Sequence, residues 1–281
     1  MGVMGLSDLS SALNFPTVDV RRLLTPWEKC TSVTTGPVDE TVLRTMIDRD
    51  YDFAPVFSGE PSLKNLLGLV SRARLEELVK QNRPLTADDP AIQKHEVDLY
   101  PRLDLLLEAM AEFPARIVTK ERGAIHESYG ILTLSDLNKH ALRVLIYEIL
   151  AEFEMVLADL VRATWGDAID WVRRLPEDAQ ARILGYWYIS KLDGVDTGPV
   201  TGATLSELLR AVGSNREARQ KLGFRSRNEW DEQTGRLPQL RNRVMHPVRP
   251  LLLNSDDCRQ LKNELRVAME LTQKIRSTLS S

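Results

Sequence analysis

The spacing of apolar residues changes near residue 137. Before that point, short apolar runs alternate with amphipathic helical stretches and with turns marked by Gly and Pro. After it, apolar residues recur at three- and four-residue spacing, the period of a helix with one buried face. The pattern predicts an α+β N-terminal part followed by an all-α helical bundle.

The N-terminal part repeats the order strand, helix, strand, strand, helix at a spacing of about 60 residues. In the first unit, the predicted strands are 31–34, 53–57 and 66–70, and the predicted helices are 39–47 and 72–80. In the second unit, we predict a helix at 103–110, strands at 116–118 and 129–134, and a helix from Ser135. Residues 81–98 are predicted as a linker between the units, and residues 120–128 as a polar turn.

The helical pattern that starts at Ser135 continues to Trp165 without Pro or Gly, so one helix is expected to run from the N-terminal part into the C-terminal part. Asp136 would then lie in its first turn. Further helices are predicted at 165–174, 177–192, 204–212, 215–222, 226–234, 237–245 and 255–279. The expected organisation is an N-terminal segment over 1–23, a two-unit domain over 24–136 and an all-α domain over 137–281.

Composition narrows the functional classes. The 281 residues carry 37 Lys and Arg against 40 Asp and Glu, a formal net charge of −3, which excludes binding of nucleic acid through overall positive charge. There is neither an apolar run long enough for a membrane span nor a signal-peptide pattern. The two cysteines, Cys30 and Cys258, are typical of a reducing compartment. We therefore expect a cytoplasmic protein without a membrane partner.

The end of the second unit carries the first candidate site. Residues 130–136 read GILTLSD, which places a hydroxyl at Thr133 and a carboxylate at Asp136. A carboxylate accepts hydrogen bonds from vicinal ribose hydroxyls, and a hydroxyl beside helix N-terminal amides can hold a phosphate. The first unit reads GLVSRAR over 68–74, with Ser71 at the hydroxyl position and Arg74 in place of the acid.

The repeated unit resembles a CBS domain, and residues of about 24–145 resemble a tandem CBS module of two βαββα units. The resemblance implies a regulatory adenosine nucleotide held by Thr133 and Asp136. Ser71 adds a hydroxyl, whereas Arg74 makes the first motif degenerate or directs it to phosphate. Arg116 is a further candidate phosphate contact. The alternative is that Thr133 only ends a strand and that Ser135 or Asp136 only caps a helix.

A second candidate site lies near the C-terminus, where Arg241 and Asn242 are followed after three residues by His246. Residues five apart diverge by about 140° on an unbroken helix. Pro247 disfavours the helical conformation at the residue before it. We therefore expect His246 at the helix end, where its side chain can turn toward Arg241.

This spacing resembles the RNxxxH motif of HEPN domains, over residues of about 137–281, and Pro247 after the His resembles the Swt1-type and abortive-infection-type groups. HEPN domains are all-α, and many are metal-independent ribonucleases that act as dimers. The resemblance implies a homodimer with an RNA substrate and no catalytic cofactor. It also implies a toxin or antiviral defence role, with an antitoxin as a possible partner. Some HEPN sites include an acid from the first helix, where the chain has Glu148, Glu152, Glu154 and Asp159.

The catalytic assignment is Arg241, Asn242 and His246. Metal-independent cleavage needs proton transfer from the RNA 2′-hydroxyl and to the leaving 5′-oxygen, which histidine performs near neutral pH. Arginine supplies a charged fork for the phosphate oxygens. Asn242 would bind phosphate or fix the histidine tautomer. The expected products end in 2′,3′-cyclic phosphate and 5′-hydroxyl groups.

The surroundings of this motif are basic, because residues 210–249 hold ten Lys and Arg against four acids. Such a stretch favours a polyanion. The candidate RNA contacts are Arg225, Arg227, Arg243 and Arg249. The alternative is a solvated face with intrahelical pairs such as Arg227 with Asp231. For the whole chain, two alternatives stay open: a non-catalytic CBS–HEPN regulatory or dimerisation module, and an RNA-binding protein that does not cleave.

Overall fold

The computed structural model describes residues 13–122, 125–166, 169–195 and 198–280. Its strands are β1 (Thr25–Pro26), β2 (Val33–Thr34), β3 (Phe53–Phe57), β4 (Leu66–Ser71), β5 (Glu96–Asp98), β6 (Ala115–Arg122) and β7 (Ile125–Thr133). Its α-helices are α1 (Glu40–Asp48), α2 (Arg72–Lys80), α3 (Leu103–Glu112), α4 (His140–Trp165), α5 (Glu177–Leu192), α6 (Leu205–Ser214), α7 (Arg216–Lys221), α8 (Arg227–Thr234), α9 (Leu237–Met245) and α10 (Ser255–Leu279). None of these helices is long and apolar enough to cross a membrane.

The chain divides into two compact units, and the boundary falls within α4 and within α10. One unit contains residues 15–143 and 250–262, and the other is formed mainly by 144–249 and 263–280. The first unit is therefore larger than the expected range of 24–136. Residues 15–23 belong to it because Val18 and Val20 donate backbone hydrogen bonds to Pro101 and Leu99.

The two predicted repeats are present. In the first repeat, β2 pairs parallel with β3, and β3 pairs antiparallel with β4. In the second, β5 pairs parallel with β6, and β6 pairs antiparallel with β7. β1 adds an antiparallel strand to the outer edge of β7. The order strand, helix, strand, strand is thus confirmed in both repeats.

Two local expectations in this part are wrong. The linker predicted over 81–98 contains β5, the first strand of the second repeat. The polar turn predicted over 120–128 is a continuation of the β6–β7 hairpin, with Thr119 opposite Ser128 and Lys120 opposite Glu127. Both segments are polar in composition. In β5, exposed Glu96 and Asp98 lie on either side of buried Val97, and an antiparallel hairpin such as β6–β7 can expose one face to water while its backbone groups stay paired.

The two repeats share a position in their antiparallel hairpins. Gly68 on β4 lies opposite Val56, and Gly130 on β7 lies opposite Val118, and both hairpins have an irregular register directly after these valines. The two sheets pack together through Leu69 of the first repeat and through Ala115, Ile117 and Ile131 of the second, all of them buried. Because the repeats are equivalent, the C-terminal ends of β4 and β7 occupy equivalent places in the unit.

Gly130 is expected to be intolerant of any side chain. A Cβ atom there would overlap the Thr25 carbonyl oxygen and lie 2.9 Å from the Pro26 Cα atom, both on β1. We expect Gly130→Ala to lower the free energy of unfolding by about 3 kcal/mol, because backbone cannot yield as a flexible side chain can. Chemical denaturation followed by circular dichroism measures the effect. Gly59→Ala is the control, since its Cβ would meet nothing within 4 Å. Equal stability of the two variants would contradict the strand packing.

The helix expected from Ser135 is interrupted. Residues Ser135–Asn138 form a 3-10 turn, Lys139 is extended at φ −65° and ψ 152°, and α4 begins only at His140. Asn138 is fixed here because its side chain bonds the backbone of Leu251 and Leu252 at 2.6 to 2.9 Å. Asp136 therefore lies in a separate turn, and its placement in the first turn of the long helix is wrong.

The second unit is helical, and in the described part of the chain no strand follows β7. The helix predicted over 165–174 is wrong. The long helix α4 ends at Trp165, and over the described residues 169–174 the helical part is the 3-10 turn Val172–Arg174. Trp171, Trp230 and Phe153 are fully buried. Trp230 donates its indole N–H to the Leu209 carbonyl at 3.0 Å, which satisfies its one polar atom.

Candidate functional site

A cavity of about 790 Å³ lies in the first unit and is lined by both repeats. This volume falls within the range of small-molecule sites, about 300 to 1,000 Å³. The second repeat contributes Thr133 and Asp136, and the first contributes Ser71. Tyr51 and Phe53 also line it and provide aromatic surface. Three of the five expected nucleotide contacts therefore share one cavity.

Asp136 has a buried carboxylate in the wall of this cavity. Its Oδ2 atom accepts hydrogen bonds from the Thr133 backbone N–H at 2.8 Å and from the Thr133 hydroxyl at 2.9 Å. Its Oδ1 atom lies 2.7 Å from the Lys139 ammonium. A carboxylate can accept about four hydrogen bonds, so Oδ1 retains capacity for a ligand hydroxyl. The same contacts also close the turn after β7, but the 3-10 turn that contains Asp136 has no side-chain N-cap, so Asp136 does not cap it as the alternative expects.

Ser71 is the N-cap residue of α2, and its hydroxyl accepts a hydrogen bond from the Arg74 backbone N–H at 3.3 Å. Arg74 does not line the cavity. Its guanidinium bonds Asp89 at 2.8 Å and Glu77 at 2.7 Å, and the hydrogen bond from Arg74 lowers the pKa of Asp89. Arg74 thus holds the segment between the repeats against α2.

Arg116 is buried and also lies outside the cavity lining. Its guanidinium donates to the Ala109 carbonyl and lies 3.5 Å from Glu112, both on α3. Burial lowers the pKa of Arg116, and the charge of Glu112 opposes that shift. The contacts of Arg116 are those of a structural cation that joins β6 to α3.

Several lining residues were not anticipated from the sequence. On the side of the first repeat, Arg72 lies 3.2 Å from Asp52, 3.5 Å from Asp50 and 4.0 Å from Glu76, and all four line the cavity. Cys30 lines it as well, and burial raises the pKa of its thiol to about 12, so the thiol stays protonated. These residues of the first repeat could have been predicted from the spacing of the two repeats, because that spacing places the end of β4 beside the end of β7.

The second unit brings Arg241 together with an acid. The Arg241 Nε atom on α9 lies 3.8 Å from the Glu154 Oε2 atom on α4. Burial raises the pKa of Glu154, while the charge of Arg241 and a hydrogen bond from the Leu205 backbone amide act in the opposite direction. Of the four acids expected on this helix, Glu154 is the one paired with Arg241. Glu152 instead pairs with Arg276 at 2.7 Å.

His246 follows directly after α9, as Pro247 predicts. It is the C-cap residue, with φ −109° and ψ 84°, and its backbone N–H bonds the Asn242 carbonyl at 3.1 Å. The imidazole of His246 and the side chain of Asn242 are exposed, whereas Arg241 is half-buried. An exposed imidazole at a helix end is accessible to a substrate as large as RNA.

The four candidate RNA contacts differ in their surroundings. Arg243 bonds the buried Glu264 at 2.8 Å, which is a structural contact within the bundle. Arg227 pairs with Asp231 at 3.4 Å on one exposed helical face. Arg225 and Arg249 are exposed. Over the described ranges, no group of three or more His, Cys, Asp or Glu side chains is arranged to hold a metal ion.

Comparison with known proteins gives structural likenesses only. No protein-family model matches the chain. No curated protein matches it either. Among solved structures, the CBS domain of a bacterial CNNM/CorC family Mg²⁺ transporter in complex with ATP is 19% identical, with 44% of this chain and 84% of that chain covered and a TM-score of 0.33.

Two further structures are similar to the same degree. A hemolysin-like protein containing a CBS domain, from Oenococcus oeni PSU, is 14% identical, covers 47% of this chain and 95% of its own, and has a TM-score of 0.36. CbpB in complex with c-di-AMP is also 14% identical, with 51% and 95% covered and a TM-score of 0.33. These neighbours are CBS domain proteins, and at such TM-scores the likeness carries no argument about what this chain does.

Proposed function

We propose that this protein senses an adenosine nucleotide in the cavity between its repeats and that its helical unit is a metal-independent endoribonuclease. The observation that carries the first part is the buried Asp136 carboxylate, which lies beside Thr133 in the wall of a cavity of about 790 Å³. Burial of a carboxylate is costly unless it is hydrogen-bonded, and donors from a ligand would add to those from Thr133 and Lys139.

The nucleotide assignment rests on complementarity. Vicinal ribose hydroxyls are two donors that suit a carboxylate, and Thr133 with Ser135 offers hydroxyls 2.8 Å apart on the same turn. Tyr51 and Phe53 offer aromatic surface for a base. Ser71 stays in the proposed site. Arg74 and Arg116 do not enter the proposal, because other residues hold their guanidinium groups away from the cavity lining.

The ribonuclease assignment rests on the contact between Arg241 and Glu154 and on the exposed imidazole of His246. Glu154 orients the Arg241 guanidinium, whose remaining N–H groups are available to phosphate oxygens. His246 would remove the proton of the 2′-hydroxyl, and the resulting oxygen would attack the adjacent phosphorus. The proton would then pass to the leaving 5′-oxygen, giving 2′,3′-cyclic phosphate and 5′-hydroxyl ends.

We also propose a homodimer that meets through α5. Along this helix Tyr186, Tyr188, Ile189 and Leu192 are each more than half exposed. Exposed apolar residues that lie close together on one helix can mark an interaction site. A second copy offers the same apolar face and would give a two-fold interface.

Ile189→Glu is expected to convert this dimer to a monomer, because it places a charge in the proposed apolar interface. Light scattering coupled to size-exclusion chromatography measures the mass in solution. Leu253→Glu is the control, since Leu253 is also exposed but lies in neither α5 nor another helix. A monomeric wild type, or a dimer that survives Ile189→Glu, would contradict the interface.

The proposed function is tested with end-labelled total RNA in EDTA, with and without adenosine nucleotides. Cleavage that changes with the nucleotide supports both parts. Nucleotide binding without cleavage supports the alternative of a non-catalytic CBS–HEPN module. Salt-dependent RNA affinity without cleavage supports an RNA-binding protein, for which Arg225 and Arg249 are the exposed candidates. If the protein cleaves RNA, the role we propose for it is that of a cytoplasmic toxin or defence effector, with or without an antitoxin.

A further inference from the structure

The charged residues that line the cavity are distributed unevenly. Asp136 on the second repeat is matched by Lys139 at 2.7 Å. On the first repeat, three acids surround a single guanidinium; the four residues are Asp50, Asp52, Glu76 and Arg72. Arg49 is the other cation of the lining. The cavity wall therefore carries one more negative than positive charge, which is unusual for a site that would hold a polyphosphate.

Two of the three cations that line the cavity, Arg72 and Lys139, are already engaged by protein groups. Arg72 lies between Asp52 and Asp50, and its side chain is only a quarter exposed. Lys139 contacts Asp136 and also donates to the Leu23 carbonyl. A phosphate group that approached either cation would have to displace a carboxylate or lie beside it. Like charges placed together in a binding site oppose binding.

We infer that the cavity selects adenosine compounds of low negative charge, a nucleoside or a monophosphate, over di- and triphosphates. This inference rests on the proposed nucleotide site and specifies its ligand class. The ribose contact at Asp136 is common to all these compounds, so selection falls on the phosphate tail. Each further phosphate brings negative charge into a wall that has no uncommitted cation except Arg49.

The selection should depend on salt. Asp50 and Asp52 have side chains that are 93% and 70% exposed, so their repulsion is screened by dissolved ions. The Debye length falls from about 10 Å at 0.1 M salt to about 3 Å at 1 M. Discrimination against ATP is therefore expected to narrow as salt is raised, whereas the affinity for uncharged adenosine stays nearly constant.

The test is isothermal titration of the full chain with adenosine, AMP, ADP and ATP in EDTA, at about 0.05 M and about 0.5 M salt. At low salt we expect ATP to bind at least about tenfold more weakly than AMP, with ADP between them. If ATP binds as tightly as AMP or more tightly, the charge selection is wrong and the nucleotide site stands. If none of the four compounds binds, the proposed nucleotide site itself is wrong.

Variants that remove a negative charge test whether the acids of the cavity wall cause the weaker binding of ATP. Asp52→Asn and Glu76→Gln each remove one negative charge beside Arg72 and are expected to raise the ratio of ATP affinity to adenosine affinity about threefold or more at low salt. Asp88→Asn is the matched control, because it removes an exposed acid outside the cavity lining. An unchanged ratio in both variants, with unchanged melting temperatures, overturns the role of the acids. If Asp88→Asn raises the ratio equally, the effect comes from the net charge of the protein, and the role of the acids in the cavity wall is also overturned.

Discussion

His246→Ala is expected to lower the rate of RNA cleavage by about 10²- to 10⁴-fold, the usual contribution of a general acid–base group. The exposed imidazole at the end of α9 is the proton-transfer group of the proposed site. Single-turnover cleavage of end-labelled RNA in EDTA measures the effect. Because the side chain is exposed, the substitution should leave the melting temperature unchanged. His140→Ala is the control, since His140 is exposed at the start of α4 and lies outside the proposed site.

The same assay distinguishes the two catalytic roles. Arg241→Ala should also lower the rate by about 10²-fold or more, because the developing charge on phosphate loses its cation. Arg241→Lys keeps the charge but loses the planar fork, so it should recover only part of the rate. Arg173→Ala, an exposed arginine in the same unit, is the matched control. Cleavage by the His246→Ala variant at the wild-type rate, or products with 3′-hydroxyl ends, would exclude the proposed mechanism.

The fold of the first unit could be predicted where sequence pattern and local structure agree. The predicted bounds of helix 72–80 and strand 53–57 match the observed ones, because the strand is a short apolar run and the helix buries Leu75 and Leu78 three positions apart. The break at Lys139 could not be predicted. Asn138 bonds the backbone of Leu251 and Leu252, which are more than 110 positions away in the chain. A contact of that kind overrides a helical pattern and leaves no local signal.

In the candidate sites, too, local sequence patterns could be predicted but contacts between residues distant in the sequence could not. Ser71 and Thr133 could be found because they end equivalent strands of the two repeats, and Asp136 because it follows Thr133 three positions later in the same motif. The sequence could not show that Arg74 is held by Asp89, since that acid comes from the segment between the repeats. In the helical unit, the resemblance to HEPN domains, in which some sites include an acid from the first helix, gave four candidate acid partners for Arg241. Only the packing of α9 against α4 selects Glu154 among them.

Asp136→Asn is expected to weaken adenosine binding by about 30- to 100-fold. A charge-assisted hydrogen bond contributes about 1.5 to 3 kcal/mol, and an amide cannot accept from both ribose hydroxyls and Thr133 as a carboxylate does. Titration calorimetry with adenosine measures the loss. The substitution also removes bonds that close the turn after β7, so a lower melting temperature is expected and does not itself report ligand contact.

The ligand can be changed instead of the protein to separate these two roles of Asp136. For the wild type, 2′-deoxyadenosine should bind about tenfold more weakly than adenosine, because one donor to the carboxylate is missing. For Asp136→Asn, the two ligands should bind nearly equally, since the partner of that hydroxyl has been altered. Asp89→Asn is the matched control: it alters a buried acid outside the cavity lining and should keep the wild-type preference for adenosine. Equal binding of both ligands by the wild type would mean that Asp136 only closes the turn, and the ribose contact would then have to lie elsewhere in the cavity.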